Sequence, residues 1–490
     1  MDHEQRPSRP IRVDSAENPL RPGYSRDALQ RSITHIGVGG FHRSHFAQYI
    51  HRVCALGYSN WGIVGVGVLE GDRLMAEALR NQDCLYTLVT RDSEETTTTV
   101  IGSIVDYIHA YPDPQPLIDQ ISAPETQILS LTLTESGYPV DLATGTYQSH
   151  QDKKAVNAFD IVTAGLKQRS TEGNGPLTIL SFDNILGNGD VTRTATLGAA
   201  QPDLKNWINK NVTFPNSMVD RITVQTTDLD REWLRAEHGL LDAWPVKAEP
   251  FSQWVVEDNF GGDRLPLEEL DVIVTDDVHP YEQMKLRLLN ASHSSMAYIA
   301  ALESINFVDK AMAQPWISSY LANFLRHEAT PSLDQVKAVD LDDYCARLIS
   351  RFENPQIGDQ ITRLCIDGSA KFRTFLLDTI RFNLEHNGPI CHAVMALAAW
   401  CEYLSDGIRR HGFDASDHLA HDANMSQILQ RADKSLDEPL LFLNDNDTFE
   451  DYFTSNARFC EQFVDSVKAI REFGVHQAVV NMLENQQSNE

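Results

Sequence analysis

Between residues 33 and 275 the chain alternates short apolar runs with stretches of helical spacing, and this alternation limits the possible folds more than any other feature. The runs cover residues 33–38, 61–68, 86–89, 127–132, 177–182 and 272–275, and several close on Gly, Asn or Asp. A helix to about residue 56 comes after the first run. Two parallel strands need a crossover about as long as a helix, so the pattern predicts βαβ units around a mostly parallel sheet. After about residue 280 the strand signals fade. Apolar residues then recur at spacings of three and four over 286–305, 315–325, 393–404 and 459–482, which predicts a helical second half. At 490 residues the chain exceeds the size of one ordinary core, which favours two domains. Residues 1–30, rich in Pro and Arg, read as an arm. Residues 31–283 read as a nucleotide-binding domain and 284–490 as a helical one, with the change falling in a helix that starts near His279 and Pro280. The four threonines at 96–99 suit a strand or a loop.

Charge narrows the partners. Lys and Arg total 41 against 69 Asp and Glu, a formal charge of −28. Such a surface repels phosphate backbones and anionic membranes, so neither nucleic acid nor membrane is expected as a partner, and a solubilising surface is the plain alternative. The start, MDHEQRPSRP, has no apolar core of a secretory signal, and no apolar run approaches the roughly 18 residues that span a bilayer. The seven cysteines, at 54, 84, 345, 365, 391, 401 and 460, are scattered and form no CxxC pair. Buried thiols in a reducing cytoplasm fit this better than disulfides or a zinc cluster.

The first predicted strand runs into Gly37-Val38-Gly39-Gly40-Phe41-His42-Arg43, with a helix behind it. A strand, a glycine turn and a helix start form a cradle for a pyrophosphate, because glycine lets the backbone approach closely and free N–H groups point at the anion. His42 replaces the third glycine of GxGxxG, and a tight turn without a ligand gives the same letters. After the second strand comes Leu69-Glu70-Gly71-Asp72-Arg73. An acid here binds ribose hydroxyls and repels a 2′-phosphate, which favours NAD over NADP, whereas Arg73 points the other way. His42 and His45 have a metal-ligand spacing, but no Cys or acid completes a tetrahedral set. No metal site is expected.

The stretch Tyr281-Glu282-Gln283-Met284-Lys285-Leu286-Arg287-Leu288-Leu289-Asn290-Ala291-Ser292-His293 carries the most chemistry. With Lys285 at zero on an α-helical projection, Glu282 falls at roughly 60°, His293 at roughly 80° and Asn290 at roughly 140°. Four hydrogen-bonding side chains thus share one wedge of a largely apolar helix. A solvated face is one explanation. The other is catalytic, since the segment joins the two predicted domains and substrates bind where domains meet. Oxidising an alcohol needs a base for the hydroxyl proton and donors for the developing alkoxide. Lysine serves if burial or nearby positive charge brings its pKa down from about 10.4.

HIGVGGFHRSH, LTLTESGY, SFDNILGNG, VDRIT, EPFSQWVVEDNF, YEQMKLRLLNASH and CIDGSAKF resemble, in order, the motifs of the polyol-specific long-chain dehydrogenases. Lys–x4–Asn–x2–His in the long helix is the most specific of them. The resemblance implies a Rossmann-type N-terminal domain with a mostly α-helical C-terminal domain, an α/β fold class that agrees with the pattern above. It implies NAD as cofactor and no metal. It further implies Lys285 as general base, Asn184 and Asn290 as the oxyanion hole, His293 as a substrate holder and Glu282 on a proton path to solvent. Asp220, Arg363 and Lys371 match positions that contact polyol hydroxyls, and Ile36, Gly37, Val38, Gly39, Gly40, Phe41, His42, Arg43 and Asp72 match cofactor positions. The expected substrate is a small polyol or keto sugar, first the D-mannitol/D-fructose pair, in a monomer. Phe182 before Asp-Asn, Ser136 in the glycine turn and Phe372-Arg373 after Lys371 depart from the family pattern. These leave fructuronate reduction and D-arabinitol oxidation as alternatives. Two rivals lie further away. Tyr281 and Lys285 also satisfy the YxxxK pair of short-chain dehydrogenases, and a non-catalytic NAD sensor would use the same nucleotide fold.

Overall fold

The computed structural model describes residues 10–487 except 93–94, 143, 149–156, 413–415, 417 and 423, so residues 1–9 of the predicted arm lie outside the described residues. The chain forms two compact units, Met1–His279 and Pro280–Glu490.

The first unit is built on six strands: β1 (Ile33–Ile36), β2 (Ile63–Gly67), β3 (Ile104–His109), β4 (Ile128–Leu131), β5 (Leu177–Ser181) and β6 (Val212–Thr213). They pair in the order β3-β2-β1-β4-β5-β6, and every pair is parallel. This is the doubly wound order in which the direction of winding reverses between β1 and β4, the place where such sheets bind ligands. Successive side chains leave a strand on opposite faces. Ile33, Ile63 and Leu180 enter one apolar core, while Ile36, Val66 and Ile179 enter the other. Both faces are covered along β1, β2, β4 and β5, and for that reason these strands fall within nearly continuous apolar runs. Two smaller sheets complete the unit. One pairs Ser217–Asp220 with Gln253–Glu257 and that strand with Val272–Thr275. The other runs through Thr223–Val224, Val246–Ala248, Tyr86–Arg91 and Thr96–Ile101, so the four threonines lie in a strand. In the segment preceding β1, Ile11–Arg12 pairs with Leu240–Leu241.

The second unit is helical. Ala291–Leu302 is buried on every side through Ala300 and packs on Cys391–His411, which in turn packs on Ala457–Gln487. A helix buried on all sides belongs in a core, and Ser292, His293, Ser294 and Ser295 are buried along with its apolar residues. The N-terminus of Cys391–His411 is capped from another element: the Glu328 carboxylate accepts the N–H groups of His392 and Ala393 at 2.8 and 2.9 Å. A negative charge there satisfies two donors that have no partner within the helix and complements the helix dipole. Ala457–Gln487 is interrupted at Gly474, whose φ of 80° breaks the helical path. Among the described residues, no helix is long and apolar enough to cross a membrane.

Candidate active site

The turn after β1 is held from both sides. Gly37 N–H donates to Val66 O at 2.9 Å, and Thr132 Oγ1 donates to Gly37 O at 2.5 Å. Gly37 has φ +94°, and a Cβ there would lie 2.0 Å from Thr132 O. Only glycine fits. Gly39 caps the short helix Gly40–Ser44 without a side-chain hydrogen bond, and a Cβ on it would meet only Gly37 O, at 3.9 Å. The first N–H groups of that helix are therefore served by no cap side chain, as an anion site requires.

Within the matched cofactor stretch, His42 and Arg43 turn their side chains inward, which leaves the backbone of the turn for a ligand. Both are buried. The His42 ring stacks on His35 of β1 with centroids 3.4 Å apart. A flat ring on a flat ring is how the position tolerates histidine where the fingerprint has glycine for close helix–strand packing. Arg43 lies over the Tyr86 ring and donates to Trp244 O at 2.5 Å. His45 Nε2 meets Gln253 O at 2.9 Å. Both histidines of the predicted metal spacing are thus packed within the fold.

Burial sets how this unit responds to acid. It pushes His35 down to about 3 and His51 down to about 4, and it carries His42, next to His35, well below the usual range. The unfolded chain, with histidines near 6.5, binds more protons than the fold below that pH. Their contribution to stability is complete above pH 6.5 and is lost as the pH falls towards 4 and 3. At pH 5, His35 and His51 should each cost about 2 kcal/mol. The urea midpoint is therefore expected to fall between pH 7 and pH 5, and an unchanged midpoint would show that these rings are protonated in the fold.

Asp72 comes shortly after β2. Its Oδ2 accepts the Leu69 N–H at 2.9 Å, and a Cβ on Gly67 would come within 2.5 Å of its own Cβ. Glycine at the end of β2 thus lets the acid lie against the strand terminus, where a ribose is bound in such folds. Arg73, the residue that pointed towards a phosphate, pairs with Glu77 at 2.8 Å.

Asn184 is exposed on the loop after β5, and the loop is fastened on both sides of it. The Asp183 carboxylate accepts the N–H groups of Leu133 and Thr134, both at 2.9 Å, and the Tyr138 hydroxyl at 2.6 Å. Asn188 Nδ2 donates to the carbonyls of Ser181, Asp183 and Ser217. Asp183, Tyr138 and Asn188 sit inside the SFDNILGNG and LTLTESGY motifs, yet sequence reasoning alone gives them no role. Phe182 packs against Phe46 and Trp254, so an aromatic cluster accounts for this departure from the family pattern. Asp220 ends the strand Ser217–Asp220 and is buried.

In the second unit the helix bearing Lys285 is not a continuous α-helix. His279–Met284 is α-helical, Lys285–Asn290 is a π-helix, and Ala291–Leu302 is α-helical again. The projection at 100° per residue therefore does not hold across 285–290. A π-helix bonds i to i+5, so Asn290 stands one turn above Lys285 on the same side. Glu282, Asn290 and His293 are buried and Lys285 is half-buried. Asn290 Nδ2 is buried and makes no hydrogen bond among the described residues. His293 stacks on Phe352 with centroids 4.3 Å apart. The Tyr281 hydroxyl donates to Lys337 O at 2.9 Å, a backbone contact that leaves it unsuited to the acid/base role in the YxxxK rival. Arg287 donates to Ser332 O, away from this group. Arg363 forms a bidentate pair with Asp359, and Lys371 Nζ donates to Leu364 O at 3.0 Å.

Residues 31–269 match the mannitol dehydrogenase Rossmann domain, and residues 277–471 match the mannitol dehydrogenase C-terminal domain. Mannitol 2-dehydrogenase of Phaeosphaeria nodorum is 36% identical over 483 residues, covering 95% of this chain and 84% of that protein. Its counterpart in Aspergillus fumigatus is 36% identical over 475 residues, 93% of either chain. Pseudomonas fluorescens mannitol 2-dehydrogenase, solved as a ternary complex with NAD and D-mannitol, superposes with a TM-score of 0.85 at 35% identity, covering 94% of this chain and 96% of its own. D-sorbitol dehydrogenase, solved without substrate, superposes at 0.82 with 31% identity and the same coverage. With family matches across both units and relatives of this identity along nearly the whole chain, the protein belongs to the mannitol dehydrogenase family.

Proposed function

We propose that this chain is an NAD-dependent polyol dehydrogenase that interconverts D-mannitol and D-fructose without a metal, with Lys285 as the general base. The observation that carries the assignment is the π-turn. It stacks Asn290 over Lys285 and keeps a buried amide donor, Asn290 Nδ2, with no partner among the described residues. A fold tolerates such a donor at a cost of about 1–3 kcal/mol, so it calls for an explanation outside the fold itself. A developing alkoxide is the acceptor it would meet.

The first unit suits NAD. The uncapped start of Gly40–Ser44, the open side of Gly39 and the anchored Asp72 carboxylate supply, respectively, N–H donors for a pyrophosphate, room for its approach and an acceptor for ribose hydroxyls. Bound NAD supplies the hydride acceptor. Lys285 Nζ takes the proton from the reacting hydroxyl, and the amides of Asn184 and Asn290 donate to the oxygen as charge grows there, a contribution of about 10²- to 10³-fold per donor. His293, held flat on Phe352, orients a neighbouring hydroxyl. Glu282 passes the proton from Lys285 towards solvent. Asp220, Arg363 and Lys371 bind the remaining hydroxyls.

The test is NADH oxidation with D-fructose, D-xylulose and D-fructuronate, with and without a chelator. Fructose should turn over fastest, and the chelator should change nothing. Turnover of fructuronate alone would keep the chemistry and replace the substrate. Loss of turnover on chelation would end the metal-free reading. NADH binding without turnover of any keto sugar would mark the protein as a sensor.

A further inference from the structure

We propose that Asp359 is a specificity-determining residue that turns the substrate site against sugars carrying a carboxylate. The inference rests on the reading of Arg363 and Lys371 as substrate contacts.

Two cations side by side would ordinarily favour an acidic substrate, and a guanidinium recognises a carboxylate best through two parallel N–H···O bonds. In this structure that mode is already taken from within. Arg363 Nε donates to Asp359 Oδ1 at 2.8 Å and Nη2 donates to Oδ2 at 2.6 Å. The pair is asymmetric. The Arg363 side chain is 52% exposed, whereas that of Asp359 is 5% exposed.

The acid is also fixed in place. The carbonyl of Asp359 accepts the Val308 N–H at 3.0 Å, Phe307 bridges to Gln360, and Ile361 N–H donates to Asn306 O at 2.9 Å. Burial alone would raise the Asp359 carboxyl, but its bonds to Arg363, the nearby charge of Arg363 and the influence of His293 outweigh it and hold the group low. It stays ionised at neutral pH. Lys371 is oriented too, with Nζ on the carbonyls of Leu364 and Arg363 at 3.0 and 3.4 Å.

Charge decides the consequence for a ligand. An incoming carboxylate must displace an ionised, anchored acid from the guanidinium or sit beside it, and like charges so placed repel. A hydroxyl meets no such conflict. It accepts from a remaining guanidinium N–H or donates to a carboxylate oxygen, because Arg has five donors and two are spent on Asp359. The internal pair therefore preserves the hydrogen bonds a polyol needs and cancels the charge of Arg363, which leaves Lys371 as one cation where two would attract a uronate.

The test compares kcat/KM for D-fructose and D-fructuronate in the wild type, Asp359→Asn and Asp359→Glu. The fructuronate-to-fructose ratio should rise at least about tenfold in Asp359→Asn. It should return towards the wild-type value in Asp359→Glu, which restores the charge. A purely structural role would lower both substrates together and leave the ratio alone, and that result overturns the proposal while the polyol assignment stands. A measurement on the wild type needs no variant to fold: D-gluconate should inhibit at least about tenfold more weakly than its neutral analogue D-glucitol. Equal or tighter inhibition by gluconate also overturns the proposal. A wild type that turns over no keto sugar removes the functional reading, and this inference with it.

Discussion

Lys285→Ala should lower kcat for mannitol oxidation by about 10²- to 10⁴-fold, the range that a positioned general base supplies. NADH affinity should be unchanged, because the residues assigned to the cofactor lie in the first unit and Lys285 lies in the second. The fold should tolerate the change as well. Lys285 is only half-buried, and alanine suits a helical position. Small primary amines added to the variant should restore part of the rate, more so for the more basic amines in their free-base form. Rescue of that kind separates a missing base from a distorted site. A variant that keeps more than a tenth of wild-type kcat would remove Lys285 from the mechanism.

Gly37→Ala should destabilise the first unit by about 4 kcal/mol, at the upper end of what one substitution does. Two causes act together. The residue has φ +94°, which an L side chain rarely adopts, and the new Cβ would lie 2.0 Å from Thr132 O. Relaxation is blocked because both polar groups of Gly37 are bonded, to Val66 O and to Thr132 Oγ1. Gly39→Ala is the informative contrast. Its φ of −109° suits any residue, and its Cβ would meet only Gly37 O, at 3.9 Å. The fold has no need of glycine there, so the Tm should hold while NADH affinity falls. Urea denaturation and NADH fluorescence on the two variants read both effects. If Gly39→Ala binds NADH as tightly as the wild type, the pyrophosphate does not rest on this turn.

The sequence made the sheet legible where its strands are covered on both faces. β1, β2, β4 and β5 each fall within a predicted apolar run, because burial on two sides leaves no room for polar alternation. β3 escaped. It is an edge strand, IVDYIH, in which Ile104 and Tyr107 are buried while Asp106 and His109 are not, so it offers no continuous run. The π-turn was invisible for a different reason. Leu286, Leu288 and Leu289 satisfy an α-helix and a π-helix equally well, and residue type does not report which hydrogen bonds close. Asp183 and Asp359 give little sequence signal of their own, because an acid in a loop ordinarily faces water. Only the fold shows that one gathers two backbone N–H groups and a tyrosine, and that the other holds an arginine. A faint signal for the second was present, since Asp359 and Arg363 have the four-residue spacing of a helical ion pair, although their helix begins only at Ile361.

The wide turn in the helix bearing Lys285 gives that segment an unusual tolerance of length. A π segment holds more residues per turn than an α-helix, so deleting any one residue between 285 and 290 would let the backbone relax to ordinary α bonding. The turn would then hold one residue fewer over about the same rotation, so the residues on either side would keep their facing about the axis, whereas the same deletion in an ordinary α-helix turns one side by about 100° relative to the other. A deletion between Lys285 and Asn290 would leave them four residues apart instead of five, still one turn from each other on the same side. The identity of these residues is thus under a tighter constraint than the chain length between them.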